Sequence, residues 1–192
     1  MTNRRSFIFG AAAFLLPAPA FARRSFRRLF NGRSLDGWTP VGDANWSVRD
    51  GVLSADRGAV SFLVSRESYR DFDLRAEFWV SGDANSGIFI RCSDRARITA
   101  DNSYEVNIFD TRPDPTYGTG AIVNVASVSP MPRAGGRWNV MLIRARGDRF
   151  DVVLNGRTTV AAARDGRYRE GPVALQYGAG LVKFRRVDLR PL

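Results

Sequence analysis

The sequence predicts an all-β domain, a sandwich of two antiparallel sheets. Short runs in which apolar and polar residues alternate recur along the chain, separated by Gly, Asp, Asn and Pro. Helical periodicity is nearly absent, and no repeat or low-complexity linker divides the chain. Asp50-Gly51 and Asn155-Gly156 each lie between two such runs and are strong signals for hairpin turns.

The first 22 residues predict an export signal rather than part of the fold. Arg4 and Arg5 precede an apolar run, and a small-residue pattern ends at Ala22. The paired arginines are similar to a twin-arginine signal, which exports folded proteins; an ordinary secretion signal and an uncleaved anchor are the alternatives. Residues 23–192 are then predicted to be one domain in the periplasm, with no membrane insertion after cleavage.

The composition excludes several kinds of site. Cys92 is the only cysteine and histidine is absent, so neither an intramolecular disulfide nor a Cys/His zinc site can form. Strand alternation places Cys92 on the apolar side of its strand. No cofactor is predicted. Oxygen ligands for calcium could come from four carboxylates in polar turns, but their spacing matches no recognised calcium loop. They are Asp83, Asp94, Asp101 and Asp110.

The net charge of +10 raises the question of an anionic partner. Arginine outnumbers lysine by 28 to 1 and is spread along the chain, which is typical of a GC-rich genome. Export also removes most access to nucleic acid, so we expect no nucleic-acid partner. Electrostatic attraction to anionic envelope polymers stays open as a minor alternative.

Three central runs, at residues 72–80, 86–91 and 104–109, share one layout. One side of each is apolar and is expected to meet the partner sheet: Leu74, Phe78, Ile88, Ile90, Val106 and Ile108. The other side carries Glu77, Trp79, Phe89, Arg91, Glu105 and Asn107. Carboxylates, a guanidinium, an amide and aromatic rings are groups that hold sugars, so we expect a carbohydrate ligand. The alternative is a solvated face with ordinary cross-strand charge pairs.

Several segments, in this order, make the chain similar to a known family: LFNGRSLDGW, YRDFDLRAEFWVSGDANSGIFIR, SYEVNIFD, TGAI, AGGRWNVMLIRARGDRFDVVLNG and GPVALQYGAGLVKFRRVDLRPL. From Leu29 to Leu192 the chain resembles the 3-keto-disaccharide hydrolase domain family. The resemblance implies a concanavalin-like, laminin-G-like jelly roll that hydrolyses glycosides whose C3 hydroxyl has been oxidised to a ketone. Such a ketone acidifies the C2 hydrogen, so a base could drive elimination of the C1 substituent before water adds back. Direct displacement assisted by two carboxylates is the other route.

Position in the matching segments assigns roles to individual residues. Glu105 is the candidate base or acid, Arg91 would hold substrate or stabilise negative charge, and Glu77 is the second carboxylate. The substrate-binding candidates are Asn107, Gln176, Trp79 and Phe89. For Glu105 and Arg91 the alternative is a buried structural ion pair, and for Trp79 it is plain packing.

One departure from the family pattern keeps a second function open. Family members often carry a histidine in a turn where this chain has Tyr177-Gly178-Ala179-Gly180. The leading hypothesis is an exported 3-keto-glycoside hydrolase. The alternative is a non-catalytic carbohydrate-binding jelly-roll module of the cell envelope, and a third hypothesis is an envelope protein whose basic surface meets anionic polymer.

Overall fold

A computed structural model describes residues 25–192, so the predicted export signal at residues 1–22 lies outside the described residues. Within that range the protein has thirteen strands, one 3-10 turn at Pro115–Tyr117 and no α-helix. The strands are β1 (Arg27–Arg28), β2 (Trp38–Val41), β3 (Ser47–Arg49), β4 (Val52–Ala55), β5 (Ser61–Ser65), β6 (Phe72–Val80), β7 (Ser86–Ile90), β8 (Tyr104–Ile108), β9 (Trp138–Arg146), β10 (Arg149–Leu154), β11 (Arg157–Arg164), β12 (Ala174–Tyr177) and β13 (Val182–Pro191).

The strands form two antiparallel sheets that pack face to face, as predicted. The eight-stranded sheet has the order β11-β10-β9-β6-β13-β4-β3, with β1 paired to β13. The five-stranded sheet has the order β2-β5-β12-β7-β8. Strands that are neighbours in sequence therefore often lie in different sheets. β6 belongs to the eight-stranded sheet, for example, whereas β7 belongs to the five-stranded sheet.

Both predicted hairpin turns are present. Asp50 and Gly51 connect β3 to β4 with φ of 51° and 77°, and Asn155 and Gly156 connect β10 to β11 with φ of 52° and 82°. Positive φ at both central residues is the geometry that matches the twist of the flanking strands, and Asn, Asp and Gly adopt it most readily.

The core lies between the two inner faces. The side chains predicted to be apolar and inward are buried: Leu74, Phe78, Ile88, Ile90, Val106 and Ile108. Each such side chain contributes about 1.5–3 kcal/mol by leaving water. With one free cysteine and no disulfide, packing of this kind holds the sandwich together.

The long connection from β8 to β9 covers the exposed edge of β8. The backbone N–H groups of Gly120 and Val123 donate to the carbonyls of Asn107 (2.9 Å) and Glu105 (3.0 Å), and Asn107 N–H donates to Ala121 (3.0 Å). This pairing caps a sheet edge that would otherwise be free. It also places the connection beside the outer face of the five-stranded sheet.

The four aspartates considered as calcium ligands do not converge. Asp110 is buried and accepts hydrogen bonds from Thr119 Oγ1 (2.6 Å) and from the Ala134 and Gly135 amides, so it ties down the β8–β9 connection. Over residues 25–192 no three His, Cys, Asp or Glu side chains gather as a metal site would require. No helix in the same range has the length and apolar character needed to cross a bilayer.

Candidate functional site

Four of the predicted site residues converge on the outer face of the five-stranded sheet. Glu105 and Asn107 lie on β8, Phe89 on β7 and Gln176 on β12, with Phe89 directly opposite Glu105. Gly87 of β7 is opposite Asn107. The register of β12 with β7 brings Gln176 to the other side of Gly87.

Gly87 lies at the centre of this group, at the point here called the hollow because the strand carries no side chain there. A Cβ atom at this position would lie 3.3 Å from Gln176 Oε1, 3.3 Å from the Phe89 ring and 3.4 Å from Glu105 Cγ. An amide, a carboxylic side chain and an aromatic ring therefore lie so close over the Gly87 backbone that a larger side chain there would press on them. A glycine inside a strand often marks a place where a ligand approaches the backbone closely.

Glu105 is the reactive group of the hollow. Glu105 is only 8% exposed, and its carboxylate makes no hydrogen bond or ion pair within residues 25–192. Burial raises the pKa of Glu105 to about 7, and the positive charge of Arg112 opposes the rise. A carboxyl group that exchanges its proton near neutral pH is suited to act as a general base and then as an acid.

Two amide oxygens beside the hollow lack partners. Asn107 Nδ2 donates to the Tyr117 carbonyl (2.6 Å), which leaves Asn107 Oδ1 buried with no hydrogen bond to a described residue. Gln176 Oε1 is buried and unpaired in the same way. Buried polar atoms are usually paired, so two free acceptors next to a titrating carboxyl indicate a place for ligand hydroxyl groups.

An aromatic pair lies beside the hollow on β5 and β7. The rings of Phe62 and Phe89 pack edge to face with centroids 5.2 Å apart. They lead into a small second core under the loop that follows β7, formed with Val64, Cys92, Ile98 and Ala174.

Arg91 is not part of this site, contrary to the prediction. Its φ of 53° breaks the strand alternation and turns the side chain inward, where it is fully buried. The guanidinium donates to the Gly147 carbonyl (2.7 Å), the Arg70 carbonyl (2.8 Å) and Asp71 (3.1 Å). Arg91 therefore ties together the ends of the two sheets, and it does not form the ion pair with Glu105 that was the alternative.

The same break in alternation corrects the placement of Cys92. Alternation along the strand predicted that Cys92 faces the inner side, with Ile88 and Ile90. Cys92 instead packs with Phe62 and Phe89 on the outer side, because the positive φ of Arg91 reverses the side on which the next residue emerges. Burial raises the pKa of its thiol to about 12, so the thiol stays protonated and unreactive.

Glu77 and Trp79 also lie outside the site. Both are on β6, which belongs to the eight-stranded sheet, and they face outward on the opposite side of the sandwich. Partial burial acts to raise the pKa of Glu77, but hydrogen bonds from Arg185 (2.8 Å) and Arg75 (2.7 Å) outweigh it and hold the pKa below its usual range. Trp79 carries the Lys183 ammonium 4.9 Å from its ring centre.

Sequence reasoning missed three residues of the hollow. Gly87 interrupts an otherwise alternating strand, and that interruption was a usable signal for close approach. Phe62 sits in the run SFLVS, where three consecutive apolar residues give no alternation from which an outer face could be identified. Arg112 lies in the β8–β9 connection, where no local pattern indicates that it comes near Glu105.

The turn that lacks the family histidine has no room for one at its glycines. A Cβ atom at Gly178 would lie 2.8 Å from the Asn85 carbonyl oxygen. At Gly180 it would lie 2.7 Å from Ala84 Cα, on backbone with φ of 73°. The turn instead hydrogen-bonds to Asn85 through the Gly178 and Ala179 amides.

Two antiparallel sheets packed face to face define a jelly-roll domain, and the unpaired carboxyl and amide acceptors on one outer face make that face the candidate site. Residues 25–190 match the family model of the 3-keto-alpha-glucoside-1,2-lyase-like domain, and the chain belongs to this family. The predicted family is thereby confirmed. A comparison with curated protein sequences finds no significant match.

Solved structures share the fold. A Parabacteroides distasonis protein described as a "putative glycosyl hydrolase" superposes with a TM-score of 0.77 at 18% identity, covering 87% of this chain and 94% of that one. A second protein of that description from the same organism gives 0.71 at 24% identity, with 88% and 100% covered. The carbohydrate-binding module CBM66 from Bacillus subtilis gives 0.65 at 21% identity, with 80% and 95% covered. These similarities establish the concanavalin-like jelly roll.

Proposed function

We propose that this protein is an exported enzyme that cleaves glycosides carrying a ketone at C3 of the sugar. The observation that carries the proposal is Glu105, a largely buried carboxyl with no partner among the described residues and a pKa of about 7. Membership of the 3-keto-alpha-glucoside-1,2-lyase-like family supports the substrate class. The arginine-led signal predicted at residues 1–22 supports export to the periplasm.

Glu105 would begin the reaction by removing the proton on C2. The ketone at C3 takes up the electron pair as an enolate, and the C1–O bond then breaks as the electrons return. The leaving oxygen takes a proton, which Glu105 now holds, and the sugar is left with a C1–C2 double bond. Water then adds its oxygen to C1 and a proton to C2, so the sum of the two steps is hydrolysis.

The neighbours of Glu105 would position the sugar and support the charge. Asn107 Oδ1 and Gln176 Oε1 are free to accept hydrogen bonds from sugar hydroxyls. Arg112 already acts electrostatically on Glu105, so its guanidinium can also stabilise the enolate oxygen. Gly87 carries no side chain next to the Phe62–Phe89 pair, so a sugar held beside Glu105 would meet no Cβ at this point of the sheet.

The test is release of the aglycone from a panel of 3-keto-glucosides. We expect Glu105→Gln to remain folded and to lose turnover by about 10²–10⁴-fold, the usual contribution of a general base. Glu77→Gln is the matched control, because it makes the same chemical change on the opposite face and should keep turnover. Equal activity in the wild-type protein and Glu105→Gln would contradict the assigned role.

A non-catalytic carbohydrate-binding module is the second candidate. The glycine-rich turn at residues 177–180, without histidine, favours it, and CBM66 shares the fold. Under this alternative no keto-glucoside is cleaved, yet sugars bind at the hollow. Calorimetry with Gln176→Ala would then show weakened sugar binding without any released aglycone.

A further inference from the structure

The outer face of the eight-stranded sheet carries a concentration of positive charge. Residues 25–192 have a net charge of +6, because four arginines of the chain's +10 precede residue 25. The outward side chains of β6, β9, β10 and β13, here called the cationic face, include eight cations and four carboxylates. The cations are Arg75, Arg144, Arg146, Arg149, Lys183, Arg185, Arg186 and Arg190, and the carboxylates are Asp73, Glu77, Asp151 and Asp188. Most of the excess charge of the described domain is therefore on one side.

The ion pairs of this face leave positive charge over. Asp73 accepts hydrogen bonds from both Arg144 and Arg190. Glu77 likewise accepts from Arg75 and Arg185. Because Asp73 and Glu77 are each shared by two arginines, each of these two groups of three side chains keeps one uncompensated positive charge. In addition, Arg75 Nε and Arg190 Nε are buried with no hydrogen bond to a described residue.

Two cations at one end are held in place by tryptophans. Trp79 and Trp138 are opposite each other in the β6–β9 register. The Lys183 ammonium lies 4.9 Å from the centre of the Trp79 ring, and the Arg185 guanidinium lies 4.3 Å from that of Trp138. Cation–π contacts of this kind stabilise the two cations in fixed positions. A preorganised pair loses less conformational entropy when it binds an anion than two free side chains do.

A groove at the other end combines arginines with apolar surface. It has a volume of about 610 Å³, and its walls include Phe26, Leu142 and Val153 beside Arg75, Arg144, Arg149 and Arg190. Within residues 25–192, three of the five large apolar side chains classed as exposed lie on this face: Phe26, Leu142 and Trp138. From Trp79 to Asp73 the face runs for about 20 Å along β6, at 3.3–3.4 Å per residue.

We propose that the cationic face is a second binding site, for an acidic polysaccharide whose sugars carry carboxylates. Guanidinium groups match carboxylates through two parallel hydrogen bonds. The apolar side chains between them suit the C–H faces of pyranose rings. The length of the face favours a polymer over a single sugar. This site is independent of Glu105 and of the reaction proposed above.

Binding of the purified protein to polygalacturonate tests the proposal, with neutral dextran as the uncharged comparison. We expect polygalacturonate to bind, dextran not to bind, and the affinity to fall as salt rises. The double variant Lys183→Gln with Arg185→Gln should bind about tenfold more weakly. The matched control is Arg57→Gln with Arg66→Gln, which removes the same charge from exposed positions elsewhere and should bind as the wild type does.

Three results would overturn the proposal. They are no binding of polygalacturonate, equal weakening in both double variants, and preferential binding to vesicles containing phosphatidylglycerol. If loss of the Arg185–Glu77 pair unfolds the first variant, Arg144→Gln with Arg149→Gln tests the groove end in the same assay. Neither face variant is expected to change aglycone release, so the two proposals can fail separately.

Discussion

Glu105 and Glu77 both lie on the outward side of a strand, but their environments in the fold are opposite. Glu105 lies on the five-stranded sheet without a hydrogen-bond partner among the described residues, and burial raises its pKa to about 7. Glu77 lies on the eight-stranded sheet between Arg75 and Arg185, which hold its pKa below the usual range. The difference shows that the neighbours of a carboxylate, and not its strand position, decide whether it can exchange protons near neutral pH.

The contrast extends to the two outer faces. Around Glu105 the polar atoms are short of partners, since Asn107 Oδ1 and Gln176 Oε1 make no hydrogen bond with a described residue. Around Glu77 nearly every carboxylate oxygen is paired with an arginine. The unpaired atoms around Glu105 are amide acceptors, whereas the face around Glu77 carries an excess of positive charge and leaves the donors Arg75 Nε and Arg190 Nε without a partner among the described residues.

The largest expected effect comes from breaking the most densely paired group, around Arg91. Arg91→Met removes the hydrogen bonds to Arg70, Gly147 and Asp71, so we expect the free energy of unfolding to fall by about 3–5 kcal/mol. Urea unfolding measures this, with exposed Arg66→Met as the control. Turnover per folded molecule should be unchanged. A loss of turnover at normal stability would instead show that Arg91 takes part in the reaction.

The pH dependence of stability sharpens the comparison of the two glutamates. The folded-state pKa of Glu105 is raised, so the native state binds more protons than the unfolded state between about pH 4.5 and 7, and stability falls as pH rises through that window. Glu105→Gln should therefore be more stable than the wild type at pH 8, by up to about 3 kcal/mol, and equally stable below pH 4.

Glu77→Gln should behave in the opposite way. The folded-state pKa of Glu77 is lowered, so its contribution is present above the unfolded pKa and is lost as pH falls through the folded pKa. At pH 7 we expect a loss of about 0.5–1 kcal/mol, as is usual for partly solvated ion pairs. Thermal unfolding of both variants from pH 3 to 8 measures the two trends. Parallel curves would mean that the two carboxylates do not differ as described.

A side chain added at Gly87 tests whether the outer face of the five-stranded sheet binds ligand. Gly87→Ala places a Cβ between Gln176, Phe89 and Glu105 at 3.3–3.4 Å, so we expect kcat/KM to fall about tenfold with stability changed by less than about 1 kcal/mol. Gly82→Ala is the control, since a Cβ there meets nothing within 4 Å. Unchanged kinetics in Gly87→Ala would place the reacting sugar elsewhere.

The smallest expected effect is a shift in the pH profile. The charge of Arg112 lowers the pKa of Glu105, so Arg112→Gln should move the rising limb of kcat/KM toward higher pH, by less than about one pH unit because the pair is partly screened by solvent. Arg112→Lys keeps the charge and should restore the wild-type limb. A limb that does not move in Arg112→Gln would show that the two groups do not interact.

Much of the fold could be predicted from local pattern. Alternation identified the buried sides of β6, β7 and β8, and the Asp50-Gly51 and Asn155-Gly156 turns were recognisable because few residues tolerate positive φ. The part of the site on the five-stranded sheet was predictable for the same reason. Glu105, Asn107 and Phe89 emerge from the outward side of their strands, as the pattern indicated. Gln176 was chosen from its position in a segment that resembles the family, and it lies on the same face.

The sequence by itself determined which side of each strand is apolar, where the tight turns lie and which family the chain resembles. Only the tertiary structure decided that β6 pairs in a different sheet from β7 and β8, which separates Glu77 and Trp79 from Glu105. It also decided the positive φ that turns Arg91 inward and the path that brings Arg112 near Glu105. The physical reason is that alternation reports burial one strand at a time, whereas sheet membership and the neighbours of a charge depend on contacts between residues far apart in the chain.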